Sequence, residues 1–206
     1  MKLYSNSFSE GDAIPGSFAF AVIGNPITLS SNQNPHLAWS HAPLATKSFA
    51  LSVIDPDVPS VGDDVNTAGK TVAASLARVD FCHWLLANLP AELNEIAAGS
   101  FSNAITVRGK KAAGLFDSIQ GINDYTGWFA SDAEMSGQYH GYDGPCPPWN
   151  DERMHHYVFT LYALDVEKLD LPAHFTHAQF MAAIAPHTLA TASLTGRYTL
   201  NPSVAY

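Results

Sequence analysis

The feature of this sequence that most constrains its fold is a series of short apolar runs separated by turn-forming residues. Gly, Pro, Asn or Asp flank each run, and runs of this length with such flanks are typical of β-strands. The clearest runs are Phe18–Ile23, Phe49–Asp55, Phe81–Asn88 and Tyr157–Asp165. The sequence therefore predicts a mostly β protein.

Helical signals are concentrated near the C-terminus. Thr176 and Gln179 have the spacing of a capping box, so a helix is predicted to begin at Thr176 and to stop before Pro186. A second short helix is predicted over His187–Leu194, ending at Gly196. We therefore expect a single domain over residues 1–206, an antiparallel β structure with a few peripheral and C-terminal helices.

The charge balance excludes one large class of partners. The chain has 10 Lys and Arg against 19 Asp and Glu, a net charge of −9, and it contains no basic run. Such a chain lacks the positive charge that dominates affinity for nucleic acid, so we expect no nucleic-acid partner. The N-terminal residues are too polar for a signal peptide, and no apolar run is long enough to span a bilayer. We expect a cytoplasmic protein without integral membrane association, in which Cys82 and Cys146 form no disulfide.

Asp55 is the first candidate functional residue. The apolar run before it ends in Asp55-Pro56-Asp57, and a carboxylate at the exit of a buried strand needs hydrogen-bond partners. Asp and Pro are also favoured in ordinary turns, so a functional site and a plain turn both remain open. The compact turn also raises the expectation of a cis Asp55–Pro56 bond above the ordinary frequency for X–Pro bonds.

Two further segments carry histidines. Regular alternation in the Phe81–Asn88 strand puts His83 on one face with Phe81 and Leu85, and Cys82 and Trp84 on the other. A histidine on such an apolar face is more often a core residue than a ligand. In the third segment, the strand puts His155 and Tyr157 on one face, behind a loop rich in Gly and Pro.

That loop, Gly141–Pro148, has an irregular backbone whose N–H groups, from Gly144 and Cys146, could converge on an anion. A rigid surface loop without a ligand is the alternative.

Taken together, these segments resemble the phosphatidylethanolamine-binding protein family, also called the Raf kinase inhibitor protein family, in its bacterial branch. Asp55-Pro56-Asp57-Val58-Pro59 is similar to the family's D-P-D-x-P motif, and His83-Trp84 to the bacterial H-W. Gly141–Pro148 with His155-His156-Tyr157 resembles the block G-x-x-G-P-x-P-P followed by H-R-Y. The likeness covers most of the chain.

The resemblance implies a β-sandwich with a small cavity for phosphate-like or carboxylate anions. By that likeness, Asp55, His83, His155 and Tyr157 would line the cavity, and Gly144 and Pro145 would form its rim. The implied partners are a phosphate-like anion or a phospholipid headgroup, a protein target such as a kinase or another enzyme, and a second copy of the chain in a homodimer.

The sequence departs from the family pattern in two places. His156 stands where the family usually has Arg, which removes a fixed positive charge near the pocket. A bulkier stretch, Trp149–Met154, precedes His155 and adds acidic residues near the expected mouth. Both changes bear on ligand preference.

We weigh three classes of function. The leading interpretation is a small-anion-binding protein with a regulatory role, not an enzyme. The alternative is a hydrolase of phosphoesters that uses Asp55 and a histidine as an acid–base pair, although the sequence has no G-x-S-x-G nucleophile motif. A metal site is the third, and the required ligand spacings are missing. We expect neither a cofactor nor a metal.

Overall fold

Residues 1–205 are described by the computed structural model, which is built mainly of antiparallel strands. The strands are β1 Lys2–Tyr4, β2 Ala21–Ile23, β3 Ile27–Leu29, β4 Leu37–Ser40, β5 Ser48–Pro59, β6 Arg78–Pro90, β7 Glu95–Ile96, β8 Ile119–Gln120, β9 His155–Leu164 and β10 Thr188–Tyr198. The helices are α1 Tyr125–Trp128 and α2 His177–Ile184, with a 3-10 turn at Gly16–Phe18. No helix within residues 1–205 is long and apolar enough to cross a membrane.

A five-stranded sheet in the order β10-β9-β5-β6-β8 forms the centre of the molecule. The smaller sheet β1-β4-β7 faces it, and Leu3, Leu37 and Trp39 of that sheet share one core cluster with Leu51 and Phe159 of the large sheet. A second cluster on the other face of the large sheet is covered by α2. The predicted antiparallel β-sandwich with few helices is confirmed.

Of the two helices predicted near the C-terminus, the first is confirmed and the second is wrong. The helix α2 has the predicted capping box, with the Thr176 hydroxyl accepting from the Gln179 N–H and the Gln179 side chain accepting from the Thr176 N–H. The predicted second helix, His187–Leu194, is wrong, because Thr188–Leu194 lies in β10 and pairs with β9 along nearly its whole length. Pairing across a sheet has outweighed the helix propensity of its Leu and Ala residues.

Two irregularities in the central strands place candidate residues. Val53 pairs with Trp84 and Ile54 with Cys82, so His83 is an extra residue on β6. Asp55 pairs with Phe81 and Val58 with Val79, so β5 carries an extra residue within Pro56–Asp57. Such β-bulges bend a strand and change the direction of its side chains.

The structure corrects three expectations about β5 and β6. β5 does not end at Asp55 but continues to Pro59, and the Asp55–Pro56 bond is trans; the cis X–Pro bond found within residues 1–205 is Asn25–Pro26. Trp84 shares the main core cluster with Tyr157, near His83, whereas Cys82 and Leu85 lie in the cluster on the opposite face. Regular alternation therefore fails at His83, although Cys82 points away from it as predicted.

Candidate functional site

Four of the predicted residues line one cavity of about 110 Å³ between β5, β6 and β9. Asp55, His83, His155 and Tyr157 form its polar part, and each is buried. Side chains from the strands and loops around them form a largely aromatic and apolar wall: Phe20, Phe81, Tyr125, Trp128, Phe129, Pro147 and Pro148. The cavity thus joins a polar floor to an apolar mouth.

Strand β9 positions two of the floor residues through regular alternation. His155 and Tyr157 lie on its buried face, and His156 is only half-buried on the opposite face. The Tyr157 hydroxyl is buried and makes no hydrogen bond within residues 1–205. Burial raises the pKa of Tyr157 well above its usual range, and the nearby Asp55 carboxylate raises it further, so the phenol is neutral.

His155 is held from both sides by carboxylates. Its Nδ1 lies 2.6 Å from Asp55 Oδ2, and its Nε2 lies 3.2 Å from Asp151 Oδ2. Burial opposes the charged form, but the hydrogen bonds to Asp151 and Asp55 outweigh it and raise the pKa of His155 to about 9. His155 is therefore charged near neutral pH.

His83 has a different environment. Its Nδ1 lies 2.7 Å from the carbonyl oxygen of Asp143, so Nδ1 carries the proton, and its Nε2 has no hydrogen bond within residues 1–205. Burial lowers the pKa of His83, against the opposing effect of Asp55. Near neutral pH this ring therefore presents an acceptor nitrogen to the cavity.

A buried network holds the segment behind His83 in place. The Asp143 carboxylate accepts hydrogen bonds from the side chains of Asn32, Asn123 and Lys110, at 2.6–2.9 Å. The Asp143 N–H in turn donates to the His83 carbonyl oxygen. Sequence reasoning missed this role of Asp143, although the residue lies inside the predicted loop.

The structure places the two predicted rim residues outside the lining of the cavity. Gly144 and Pro145 do not line the cavity; their carbonyl oxygens accept hydrogen bonds from the Tyr125 hydroxyl and the Phe20 N–H. The Gly144 N–H donates to the side chain of Asn32 and so is not directed at a ligand. On this side the next residues of the loop, Cys146, Pro147 and Pro148, form the wall.

The cysteines are both free thiols, as predicted. Cys146 lines the cavity, and burial raises the pKa of its thiol to about 12. A thiol with that pKa is protonated at neutral pH and is a poor nucleophile.

The two departures from the family pattern take on structural roles. Arg153 Nε lies 2.8 Å from Asp57 Oδ1, and His156 Nδ1 lies 2.8 Å from Asp57 Oδ2, so a positive charge is retained beside this acid despite the absence of Arg at 156. Asp151 does not lie at the mouth, because it is buried behind His155.

Asn150 is buried too and donates to the carbonyls of Asp64 and Lys70. It thereby fixes the loop that supplies Gly62, Val65 and Asn66 to the cavity wall.

Within residues 1–205, no group of three or more His, Cys, Asp or Glu side chains has the arrangement of a metal site.

Comparisons with known proteins agree with this architecture. The chain is 30% identical over 198 residues to the UPF0098 protein YbhB of Escherichia coli, covering 96% of this chain and 99% of YbhB. The structure of E. coli YbcL, described as a new member of the mammalian PEBP family, superposes with a TM-score of 0.69 at 27% identity, covering 96% of this chain and 97% of YbcL. The PEBP homologue CT736 of Chlamydia trachomatis superposes with a TM-score of 0.65 at 29% identity, covering 96% and 95% of the two chains. The family model for the phosphatidylethanolamine-binding protein matches residues 4–199. The chain therefore belongs to the phosphatidylethanolamine-binding protein family.

Proposed function

We propose that this protein binds a small ligand that carries a phosphate-like headgroup, and that Tyr157, His83 and Asp55 contact that headgroup. The observation that carries the proposal is that Tyr157 lines the cavity and that its buried hydroxyl, beside the Asp55 carboxylate, makes no hydrogen bond within residues 1–205. Leaving a buried polar group unsatisfied costs about 1–3 kcal/mol, and a ligand oxygen would remove that cost.

The size and lining of the cavity favour a headgroup with an apolar attachment. A cavity needs roughly 10–15 Å³ to hold one water molecule, so the cavity of about 110 Å³ accommodates a group of phosphate size. The aromatic mouth, with half-exposed Trp128, would contact the less polar part of the ligand. Free phosphate and a phospholipid headgroup both carry a phosphate group that could bind at the polar floor.

The states of two candidate catalytic groups, His155 and Cys146, favour binding over hydrolysis. His155 has both ring nitrogens engaged by carboxylates and is protonated near neutral pH, so it is unsuited to act as a general base. Cys146 is a protonated thiol. A regulatory action on a kinase or other protein target, a homodimer and a cytoplasmic location rest on the resemblance and the sequence alone.

Titration calorimetry with inorganic phosphate and with O-phosphoethanolamine tests the proposal. We expect dissociation constants between roughly micromolar and millimolar for the wild type. Tyr157→Phe should weaken binding about tenfold, the equivalent of one hydrogen bond to a charged group. Tyr4→Phe, at a half-exposed tyrosine outside the cavity, is the matched control.

Equal affinity of wild type and Tyr157→Phe for both ligands would overturn the proposal. Tighter binding of O-phosphoethanolamine than of phosphate would identify a lipid-type headgroup, and the reverse order would identify the free anion. An assay of p-nitrophenyl phosphate hydrolysis should show no turnover above background.

A further inference from the structure

Four buried charged groups form a continuous chain that ends at the cavity floor. The guanidinium of Arg78 donates from Nη1 to Oδ2 of Asp151 and from Nη2 to Oδ1, at 2.5 and 3.0 Å. Asp151 Oδ2 then meets His155 Nε2, and His155 Nδ1 meets Asp55 Oδ2. All four side chains are at most 5% exposed.

The hydrogen bonds that link these four charged groups require a particular protonation state of His155. A neutral imidazole has one N–H, whereas each ionised carboxylate only accepts hydrogen bonds. Asp151 and Asp55 therefore both receive an N–H only if His155 is an imidazolium. The charges then alternate along the chain and sum to zero, which is the condition for burying them together.

Within residues 1–205, Asp151 and Asp55 are the charged groups that act on His155, and both raise its pKa. Asp55 comes from β5, and Asp151, with Arg78 of β6 behind it, comes from the loop before β9. Among the other floor residues, Tyr157 is neutral because burial raises its pKa, and His83 has its pKa lowered by burial.

The chain of charges is a costly way to stabilise a fold. Replacing a buried ion network by apolar side chains is often neutral or stabilising, because the desolvation of the charges offsets their attraction. Arg78 and Asp151 line no part of the cavity. Their burial behind His155 calls for a role at the site.

We propose that Arg78 and Asp151 are positioning residues of the cavity, which hold His155 as an imidazolium and, through it, orient the carboxylate of Asp55. Neither residue belongs to the motifs that carry the family resemblance. One consequence is that His155 has no free N–H for a ligand, so the ligand-facing groups of the floor are Asp55, His83 and Tyr157. The inference concerns the charge state of the floor and does not depend on which ligand the cavity takes.

A purely structural role is the competing explanation. Arg78 also donates to the carbonyl oxygens of Ala73, Leu76 and Asp57, and so it ties the preceding loop to the sheet. In that case, loss of Asp151 would reduce stability but would leave the titration midpoint of His155 where it is in the wild type. The two explanations therefore differ in the protonation of one ring.

The test is a pH titration of ¹⁵N-labelled histidine rings by NMR, in which His155→Gln assigns the His155 signals. In the wild type, both ring nitrogens of His155 should stay protonated through pH 8. In Asp151→Asn, the midpoint should fall by at least one pH unit, a tenfold loss of proton affinity, and Asp151→Glu should restore it. Arg153→Gln, which removes a neighbouring cation paired with Asp57, is the control and should leave His155 unchanged.

A His155 midpoint at or below pH 6.5 in the wild type would overturn the proposal. This measurement needs no substitution, so the proposal can be refuted even if the variants fail to fold. An unchanged midpoint in a folded Asp151→Asn protein, or a Glu variant that titrates like the Asn variant, would also overturn it. Failure of phosphate binding in the wild type would count against the proposed function alone.

Discussion

The Nδ1 of His155 and the Oδ2 of Asp55 lie 2.6 Å apart, although the two residues are separated by 100 positions in the chain. This contact forms where β5 leaves its regular register, next to the start of β9. It joins two motifs that the sequence could only place on separate strands.

The first prediction is a loss of stability at alkaline pH. The folded pKa of His155, about 9, is above the ordinary 6.5, so its contribution is fully present below pH 6.5 and is lost as pH rises through 9. The contribution is on the order of 3 kcal/mol for a shift of this size. Urea unfolding of the wild type at pH 6.5 and pH 9 measures it.

His155→Gln should abolish most of this difference, and His187→Gln, at a partly exposed histidine paired with Asp165, should preserve it. Buried thiols and phenols also make the folded protein less stable at alkaline pH, because their pKa values are raised by folding. That effect begins only where the same groups ionise in the unfolded chain, at about pH 9 and above. A wild type equally stable at both pH values would refute the prediction.

The second prediction concerns His83 and anion binding. Because an anion favours the protonated imidazole, binding should tighten as pH falls below 6.5, where the buried His83 ring gains a proton. His155 should contribute no pH dependence between pH 6 and 8, since it is already charged there. Sulfate is a suitable probe because its own charge is constant across this range.

For sulfate, we expect roughly tenfold tighter binding by the wild type at pH 5.5 than at pH 7.5, which corresponds to an average uptake of about half a proton on binding over this range. His83→Gln keeps a neutral polar side chain and should bind weakly at both pH values. His187→Gln should behave as the wild type, and pH-independent binding by the wild type would show that His83 does not contact the anion.

The third prediction tests the packing of the loop behind His83. A Cβ on Gly144 would lie 2.1 Å from the carbonyl oxygen of Phe18, which is backbone and has little freedom to move. Gly144→Ala should therefore destabilise the protein by roughly 2–4 kcal/mol, with a melting temperature lower by about 5–15 °C. Gly62→Ala, whose Cβ would meet open space at the cavity wall, should melt within about 2 °C of the wild type. Calorimetric melting that found the two variants alike would contradict this packing.

The fourth prediction tests Asn150. Its side chain donates to the carbonyls of Asp64 and Lys70 and accepts from the Asn66 N–H. In Asn150→Ala these groups lose their partner, and the loop should open more often, so trypsin should cleave after Lys70 several-fold faster. Asn103→Ala, at an exposed amide pair with Gln33, is the control and should be cleaved at the wild-type rate.

The sequence was most informative where the period of the structure is regular. His155 and Tyr157 were placed on one face of β9, because the strand alternates buried and half-buried residues almost throughout. At His83 the same reasoning failed, because a single extra residue shifts the period and no local sequence signal marks the β-bulge. The predicted helix in β10 failed for a different reason, since its partner β9 lies elsewhere in the chain.

The chain of charges behind the cavity could not be predicted either. Arg78 and Asp151 are 73 positions apart and belong to no motif, so their contact depends on the tertiary fold. Asp151 precedes His155 by four positions, but in an irregular segment this spacing does not fix a side-chain direction. In the sequence, only the bulky stretch Trp149–Met154 before His155 marks this region as unusual for the family.

The alternating charges of Arg78, Asp151, His155 and Asp55 also bear on how fast a ligand arrives. Opposite charges in a short row cancel at a distance, so an approaching anion is governed by the acidic excess of the whole molecule, 19 Asp and Glu against 10 Lys and Arg. That charge repels anions, and dissolved salt screens the repulsion over about 10 Å at 0.1 M. Added salt should therefore speed the association of an anion with this protein, whereas it slows association with a site built from unpaired basic residues.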